Sequence, residues 1–501
     1  MASLDWVVII FYLLIMVGIG IWSFKMIKGS DDYFVAGGKL PWWLSGASHH
    51  VSGYSGVVFS AYAGIAYSFG FTIYMWWAVA ITISVITGAY LIAPRWARLR
   101  MKLKIESPLE YLSIRYNMPT QQLMAWSGVV LKLFDVGAKW TAIAILLNGF
   151  TGVPLIYGIL ISGGVSLLYI TVGGLWADVW NDFVQFAVQI IAGLVMFFVV
   201  ISKLGGVSSI FTMWGELPAG NADLFREPYT VAFFIAFIFI TFFSYNGGTW
   251  NLAQRYIASP SGSEAKKSAL FSGVLYLIWP LIMFFPMWAA PIFFPSLDDP
   301  NQVYSIMTIE FLPVGLVGLV LASLFAATMS MTSGDINTVS AVITKDILPT
   351  ISSKVRTLDK KASLKLARII TLIFTGLTLL LGMNADHFGG VLGLIISWFG
   401  ALVGPISIPM LLGLLPRFKH SNSAAAIGSI IAGLITFVVF KYGLSEVAQS
   451  ISISAPLAIS LITYIGMGWL NRNQPVPQEV EDLLDALSDE NTPFTDNSIK
   501  A

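Results

Sequence analysis

The chain has 501 residues, a formal net charge of +1 and no cysteine; 56% of its residues are hydrophobic and only 11% are charged. Soluble domains usually carry about 25% charged residues, so we expect the lipid bilayer to be the main solvent. The balanced charge, with most basic residues in short loops, gives no support to nucleic-acid binding. The absence of cysteine excludes disulfides and thiolate metal sites.

A hydropathy window of about 19 residues predicts an all-α integral membrane protein with about 13 transmembrane helices. The first predicted span is too long for the core of a signal peptide, so we expect it to be retained. The predicted spans cover residues 4–24, 41–68, 71–94, 121–151, 154–176, 183–204, 229–250, 269–296, 313–345, 367–385, 388–415, 423–440 and 451–470.

The predicted loops differ strongly in their basic residues. If the N-terminus lies outside, the inner loops hold 22 Lys and Arg residues and the outer loops hold three. This positive-inside bias predicts an outside N-terminus and a cytoplasmic C-terminus in a plasma membrane, such as a bacterial inner membrane. Residues 471–501 are polar and acidic and are predicted to form a mostly unfolded cytoplasmic tail.

The second predicted span is polar and glycine-rich at its centre, from Ser48 to Gly56. In hydrocarbon an unpaired backbone group costs several kcal/mol, so a weakened helix is tolerated only where it lines a cavity or is buried in protein. Secondary transporters place solute and coupling ions at such breaks. His49 and His50 lie in this segment; we interpret them as hydrogen-bonded cavity residues, with proton sensing as the alternative.

Several predicted spans also contain ionisable residues. Lys132, Asp135 and Lys139 share one helical face, which indicates either an internal salt bridge or a solute contact. Asp335 follows a run of small hydroxyl residues in the ninth span, and oxygen ligands with a carboxylate suit a hard cation such as Na⁺. Asp178, between two spans, is interpreted as a solvated charge or a helix cap.

Taken in order, these segments resemble the sodium:solute symporter family. The resemblance runs from about residue 31 to residue 416, most of the chain. Its motifs are Asp32-Tyr33-Phe34, Ala36-Gly37-Gly38, Gly46-Ala47-Ser48, Gly173-Gly174-Leu175, Trp180-Asn181-Asp182-Phe183-Val184-Gln185, Gln254-Arg255-Tyr256 and Ala326-Ala327-Thr328-Met329-Ser330.

The resemblance implies the fold of the leucine-transporter class, with two inverted repeats of five helices. Within a transmembrane domain of residues 1–470, repeat one would cover about 41–204 and repeat two about 229–415. Helices 4–24, 423–440 and 451–470 would be peripheral, and residues 471–501 would form the acidic tail.

The resemblance also implies a Na⁺ site between the broken helix and the ninth span. Its ligands would be the backbone carbonyls of Val51, Tyr54 and Ala327 with the hydroxyl of Ser330. The family position that commonly carries a further hydroxyl is Met331 here. Some members hold a second Na⁺, for which the candidate residues in this chain are Asp182, Ser333, Gly334 and Asp335; capping of a helix is the alternative role for Asp182.

Solute contacts implied by the resemblance are Ser55, Val58, Trp76, Trp77, Asp135 and Tyr245. The residues by which galactose, sialic-acid and proline transporters recognise their solutes are replaced, so none of those specificities is expected. An aromatic wall with one acidic residue favours a neutral polyhydroxylated solute or a cationic one. From sequence alone, Trp76 and Trp77 are equally compatible with an interfacial aromatic belt.

The sequence therefore predicts a sodium-coupled symporter that imports a small polar solute, sugar or sugar-like, by alternating access. A proton-coupled carrier of the same fold is the alternative, and a non-transporting sensor or channel is a more distant one. No fused output domain follows the last predicted span, which argues against a sensor. Nothing in the chain assembles a nucleophile, a base and an oxyanion site, so it is not expected to be an enzyme. No obligatory protein partner is indicated.

Overall fold

A computed structural model describes residues 1–384, 404–443, 449–492 and 494. Over these residues the chain is helical and contains no β-strand. The helices of the first half are α1 (Ser3–Ser23), α2 (Ser30–Val35), α3 (Trp42–Val51), α4 (Ala61–Phe69), α5 (Ala80–Leu91), α6 (Ala93–Leu103), α7 (Leu112–Arg115), α8 (Met118–Thr151), α9 (Leu155–Lys203) and α10 (Ser209–Thr212).

The second half continues the same all-helical pattern. Its helices are α11 (Val231–Phe243), α12 (Asn251–Ile257), α13 (Gly262–Met283), α14 (Phe285–Phe293), α15 (Val303–Phe311), α16 (Leu316–Val342), α17 (Leu348–Ile351), α18 (Ser353–Arg356), α19 (Lys360–Met383), α20 (Gly404–Leu412), α21 (Ser423–Val438), α22 (Gln449–Leu470) and α23 (Gln478–Ser488).

Seven of the described helical stretches are long and apolar enough to cross a membrane. Their outward faces carry exposed Leu, Ile, Val and Phe side chains, as lipid contact requires. The protein is therefore a multi-pass membrane protein. Residues 385–403, most of the eleventh predicted span, lie outside the described residues.

Helix α9 contains the fifth and sixth predicted spans, separated by a bend at Gly174. This residue has φ 51° and ψ −145°, and a Cβ there would lie 2.4 Å from the carbonyl oxygen of Tyr33, so only glycine fits. Asp178 and Asp182 follow the bend within the helix and are fully buried. The interpretation of Asp178 as a solvated charge or a helix cap is wrong, because the bend replaces the expected loop.

The predicted interruption of the second span is confirmed. Helix α3 ends at Val51, a 3₁₀ turn occupies Gly56–Phe59, and α4 begins at Ala61. The polar centre of this segment lies in protein and not in lipid, since α3 packs against α9 and α13 while the 3₁₀ turn packs against α8 and α16. A second break follows α11, where a π-helical segment, Ser244–Gly248, leads into α12.

The sequence predicts a mostly unfolded tail, but residues 478–488 form helix α23. Its apolar residues recur at helical spacing, and Val480, Leu483, Leu484 and Leu487 are buried against α6, α7 and the following loops. Arg98 Nη1 donates to the carbonyl oxygens of Leu487 and Ser488 at 2.8 Å, which satisfies the helix C-terminus. The acidic composition of residues 471–501 predicts disorder because composition does not take the order of residues into account. The helical spacing of the apolar residues is visible only in that order.

We expect the double substitution Leu483→Ala with Leu487→Ala to release α23. Each truncation of a buried leucine costs about 2–5 kcal/mol, and only Val480, Leu484 and Ala486 then remain as buried apolar side chains of this helix. Hydrogen exchange at the amides of residues 478–488 should accelerate strongly, while α16 should keep its protection. Asp485→Asn, at an exposed position of the same helix, should change nothing. Unaltered protection of α23 in the double variant would contradict this packing.

Candidate functional site

A small cavity of about 90 Å³ opens beside the break between α3 and α4. It lies among α4, α8, α16 and the π-helical segments Tyr74–Val79 and Ser244–Gly248. The residues that line it are Gly53, Tyr54, Ser55, Val57, Val58, Tyr62, Trp77, Asp135, Lys139, Tyr245 and Met331.

Five of the six predicted solute contacts border this cavity, and Trp76 does not. Trp76 instead stacks on Tyr229, with ring centroids 5.2 Å apart and planes 14° apart, and packs against Phe233 and Phe237. Adjacent residues of a helix point in different directions, so only one of the two tryptophans can face the cavity. That residue is Trp77.

Aromatic rings form much of the cavity wall. Trp77 lies edge-on to Tyr54 and to Tyr62, with centroid distances of 6.0 Å in both pairs. Tyr245 donates its hydroxyl to the carbonyl oxygen of Gly53 at 2.6 Å and so holds the break in place. Tyr62 was not singled out by the sequence, because the aromatic residues of α4 resemble ordinary core residues.

Three polar groups of the lining residues have no hydrogen bond to any described residue. They are the hydroxyl of Ser55, the hydroxyl of Tyr62 and the Oδ1 atom of Asp135. The cavity therefore offers two hydroxyls and a carboxylate oxygen beside flat apolar surfaces. This combination suits a polar organic molecule with hydrogen-bond donors.

Four buried charges form a balanced cluster at one side of the cavity. Lys132 Nζ lies 3.2 Å from Asp135 and 2.6 Å from Asp335, and Lys139 Nζ lies 2.7 Å from each carboxylate. The predicted pairing of Asp135 within α8 is present, and Asp335 on α16 completes it. Asp335 thus has ammonium groups as its neighbours, and the structure does not bring it to Asp182.

The candidate Na⁺ ligands lie on the break and on α16, which pack against each other. Ser330 Oγ lies 2.9 Å from Ser52 Oγ, and Ala327 lies one turn earlier on α16. Among the described residues, no hydrogen bond ends on the carbonyl oxygen of Val51 or Tyr54. Buried carbonyls without a partner are costly, so these two are suited to a cation.

The carbonyl groups of Ser52 and Gly53, which lie between Val51 and Tyr54 in the chain, already accept hydrogen bonds. Asn251 Nδ2 approaches the oxygen of Ser52 at 3.4 Å, and Tyr245 satisfies that of Gly53. Met331, at the position where the resemblance leads us to expect a further hydroxyl, borders the same cavity as Tyr54. Its thioether supplies no hard oxygen ligand.

Arg255 lies at the centre of a second buried cluster. Its Nη2 atom lies 2.6 Å from Asp178 and 3.1 Å from Asp182, and it donates to Ser52 Oγ at 3.0 Å. Its Nε atom donates to Ser48 Oγ at 3.0 Å. Arg255 is one of the 22 basic residues that the predicted topology assigns to inner loops, and this assignment is wrong. Its side chain lies on α12 and is fully buried, because the two carboxylates beside it offset the cost of burying its charge.

Besides Asp182, two of the predicted second-site residues contribute to this cluster in different ways. Ser333 Oγ donates to Asp178 Oδ1. Gly334 makes room for the arginine, since a Cβ there would lie 2.8 Å from Arg255 Nη1 and Nη2. The guanidinium of Arg255 therefore occupies the space that a side chain at position 334 would need.

The two histidines of α3 have different surroundings. His49 Nδ1 lies 2.8 Å from Ser272 Oγ, and its Nε2 lies 2.8 Å from the Tyr256 hydroxyl and 3.0 Å from the Tyr245 carbonyl oxygen. His50 is fully buried among aromatic rings, and neither ring nitrogen has a hydrogen-bond partner within the described part of the chain. A charged His50 would be unpaired in a low-dielectric site.

Comparison with known proteins identifies a family model and relatives that this chain resembles. A family model described as the sodium:solute symporter family matches residues 33–433. The sodium/sialic acid symporter SiaT of Proteus mirabilis (strain HI4320) is 26% identical over 464 residues, covering 88% of this chain and 90% of that protein. The sodium/glucose cotransporter of Vibrio parahaemolyticus is 27% identical over 479 residues, covering 88% and 85% respectively.

Solved structures show the same fold. A Na⁺-coupled sialic acid symporter in its substrate-bound outward-open state superimposes with a TM-score of 0.83 at 21% identity, covering 95% of this chain and 99% of that one. Mhp1, a nucleobase-cation-symport-1 family transporter in a closed conformation, superimposes with a TM-score of 0.53 at 16% identity, covering 91% of this chain and 98% of that one.

Removing one charge from the balanced cluster should lower the free energy of unfolding more than removing one positive and one negative charge together. We expect Lys132→Met to lower stability by about 3–5 kcal/mol because it leaves a buried carboxylate uncompensated. Adding Asp335→Asn restores charge balance with the Asp135–Lys139 pair, so part of the loss should be recovered. Thermal unfolding in detergent would measure both.

Lys267→Met is the matched control, because Lys267 and Glu264 form an exposed pair. Such pairs contribute about 1 kcal/mol or less, so the control should unfold like the unmodified protein. Additive losses in the double variant would show that charge balance does not govern this cluster.

Proposed function

Because this chain belongs to the sodium:solute symporter family, we propose that it imports a small, neutral, polar organic solute together with Na⁺ by alternating access. The observation that carries the proposal is the break between α3 and α4. It brings the hydroxyl of Ser52, which follows Val51, to 2.9 Å from the hydroxyl of Ser330, and it borders the solute cavity through Ser55 and Val58. One segment thereby contacts both ion and solute.

We assign the Na⁺ site to the carbonyls of Val51, Tyr54 and Ala327 and the hydroxyl of Ser330. These are the uncharged oxygen ligands that a hard monovalent cation accepts. Since the thioether of Met331 adds no oxygen, the protein supplies four ligands in this proposal. Sodium binding at the break fixes the backbone that also forms one wall of the solute cavity. This shared segment couples the binding of Na⁺ to the binding of the solute.

We further propose a single coupling ion. Asp182, the candidate carboxylate for a second Na⁺, is paired with the guanidinium of Arg255, which is fully buried between Asp178 and Asp182. A guanidinium cannot be deprotonated in a protein. Arg255 therefore acts as a permanent internal cation in the place of a transported one.

The cavity favours a neutral solute. Asp135 and Lys139 both border it, but the cluster they belong to balances its own charges. An anion or a cation would meet a charge of its own sign. The aromatic wall and the hydroxyls of Ser55 and Tyr62 suit a polyhydroxylated molecule. A cavity of about 90 Å³ is below the roughly 300–1,000 Å³ of drug-sized sites, so we propose a solute no larger than a monosaccharide.

The proposed architecture follows the sequence prediction: thirteen membrane crossings, an outside N-terminus, a cytoplasmic C-terminus and two inverted five-helix repeats in a bacterial inner membrane. The breaks at α3–α4 and α11–α12 support the repeats, since they occupy the first helix of each. In the cycle, Na⁺ favours the outward-open state and completes the solute site, and the inside-negative potential adds about 2.3 kcal/mol per charge per 100 mV.

Sodium alone should stabilise the purified protein against heat, relative to choline at the same pH and ionic strength. We expect Ser330→Ala to weaken the apparent Na⁺ affinity about tenfold, equivalent to about 1.4 kcal/mol, because it removes one ligand oxygen. Ser323→Ala is the control, since Ser323 is buried on the same helix and donates only to Val320. Equal stabilisation by choline, or a proton dependence in place of the sodium dependence, would favour the proton-coupled alternative.

The proposal of a single ion makes a contrasting prediction for Asp182→Asn. This substitution leaves Asp178 to neutralise Arg255, so the apparent Na⁺ affinity should change by less than about threefold. Thermal titration with Na⁺ measures it alongside the Ser330 variant. A loss of affinity as large as that of Ser330→Ala would instead make Asp182 a sodium ligand.

A solute screen by thermal shift, with and without Na⁺, would identify the transported molecule. Neutral polyols and monosaccharides should stabilise the protein further only when Na⁺ is present. Tyr62→Phe should weaken that effect without changing the response to Na⁺ alone. Stabilisation by carboxylates or amines, with none by neutral solutes, would overturn the proposed solute class.

A further inference from the structure

An open groove of about 700 Å³ lies at the first turns of α19 and shares no lining residue with the solute cavity. One wall comes from α9 just before its bend at Gly174, and the other comes from α19. The residues that line it are Thr171, Asp359, Lys361, Ala362, Leu364, Lys365, Arg368, Ile369 and Leu372.

Three basic residues dominate the charge of this groove. Lys361, Lys365 and Arg368 are spaced four and three residues apart, which places them on one face of α19. Within the described part of the chain, no carboxylate lies within 4.0 Å of any of them. The single acidic residue, Asp359, accepts a hydrogen bond from the amide of Ala362 at 2.7 Å and caps the helix.

Arg368 is held in position at the inner end of the basic face. Its Nη2 atom donates to the carbonyl oxygen of Val172 at 3.1 Å, and its guanidinium lies 4.9 Å from the ring centroid of Phe24. Its Nε atom is buried and has no hydrogen-bond partner among the described residues. A fixed guanidinium of this kind binds phosphate oxygens with little loss of side-chain freedom.

Beyond the basic turns, α19 presents a lipid-facing apolar surface. Ile369, Leu372, Ile373, Leu377 and Leu380 are each at least 43% exposed. The helix therefore changes from cationic to aliphatic within about two turns. This order of charge followed by hydrocarbon is the order of a phospholipid, whose headgroup lies at the membrane surface and whose chains lie below it.

We propose that this groove binds the headgroup of an anionic phospholipid. The phosphate contacts Arg368 and Lys365, Lys361 lies at the outer rim, and an acyl chain follows Ile369 and Leu372 along α19. Juxtamembrane basic clusters attract anionic lipids in this way. The positive-inside pattern assigns the site to the cytoplasmic leaflet, and the proposal does not depend on the identity of the transported solute.

The test uses the full chain, delipidated in a neutral detergent. Phosphatidylglycerol and phosphatidylcholine with identical acyl chains are added in parallel, and bound lipid is counted by native mass spectrometry alongside thermal unfolding. We expect phosphatidylglycerol to bind and stabilise the protein, and phosphatidylcholine to do neither. The triple variant K361Q/K365Q/R368Q should bind phosphatidylglycerol about 100-fold more weakly, as three lost surface charges predict.

The control K354Q/K360Q removes two nearby exposed charges that do not line the groove. It should keep the binding of phosphatidylglycerol. Circular dichroism checks that the triple variant keeps its helical fold. The single variant K365Q, expected to bind about fivefold more weakly, is measured in the same way and disturbs the fold less.

Three results would overturn the proposal. The first is full binding of phosphatidylglycerol by the triple variant, and the second is an equal loss of binding in the control. The third is the same stabilisation by inorganic phosphate at millimolar concentration. The last result would identify a site for a soluble anion in place of a lipid.

Discussion

The requirement that backbone groups be satisfied inside a membrane constrains this structure most strongly. Between Val51 and Gly56 the helical hydrogen bonds are interrupted, and side chains from elsewhere replace them. The hydrogen-bond partners come from four separate parts of the fold. Tyr276, Asn251 and Tyr245 donate to the carbonyl oxygens of His50, Ser52 and Gly53 respectively, and Thr328 Oγ1 accepts from the amide of Gly56. The break thus holds α12, α13, α16 and the Ser244–Gly248 segment around itself, and the carbonyls of Val51 and Tyr54 accept no hydrogen bond from the described residues.

Buried charges complete the arrangement on either side of the break. Each carboxylate cluster contains its own cations, two lysines in one case and Arg255 in the other. Taking charges out of water is costly, and pairing them offsets that cost. The consequence for transport is that neither cluster presents a large net charge to the solute. The ion site can then be built from neutral oxygens.

Sequence reasoning reached the features that depend on local composition. The polar centre of the second span predicts a break, and the spacing of Lys132, Asp135 and Lys139 predicts their pairing, because both patterns lie within a single segment. Five of the six residues predicted as solute contacts border the cavity, and Trp76 does not because its side chain points elsewhere.

Features that depend on distant parts of the chain were beyond the sequence. Arg255 and Asp178 are 77 residues apart, and a basic residue beside a predicted loop gives no sign that it is buried. Likewise, Asp335 carries no local mark that its partners lie on α8. Helix α23 was hidden for a different reason, since its short apolar pattern lies within a strongly acidic segment.

Hydrogen exchange with and without Na⁺ tests the central claim most directly, because it needs no knowledge of the solute. The break between α3 and α4 and the facing turn of α16 should be measured in NaCl and in choline chloride at equal ionic strength and pH. We predict that Na⁺ slows exchange in peptides covering residues 48–60 and 325–335 and leaves α23 unchanged. Identical exchange in both salts at these two segments would contradict the account.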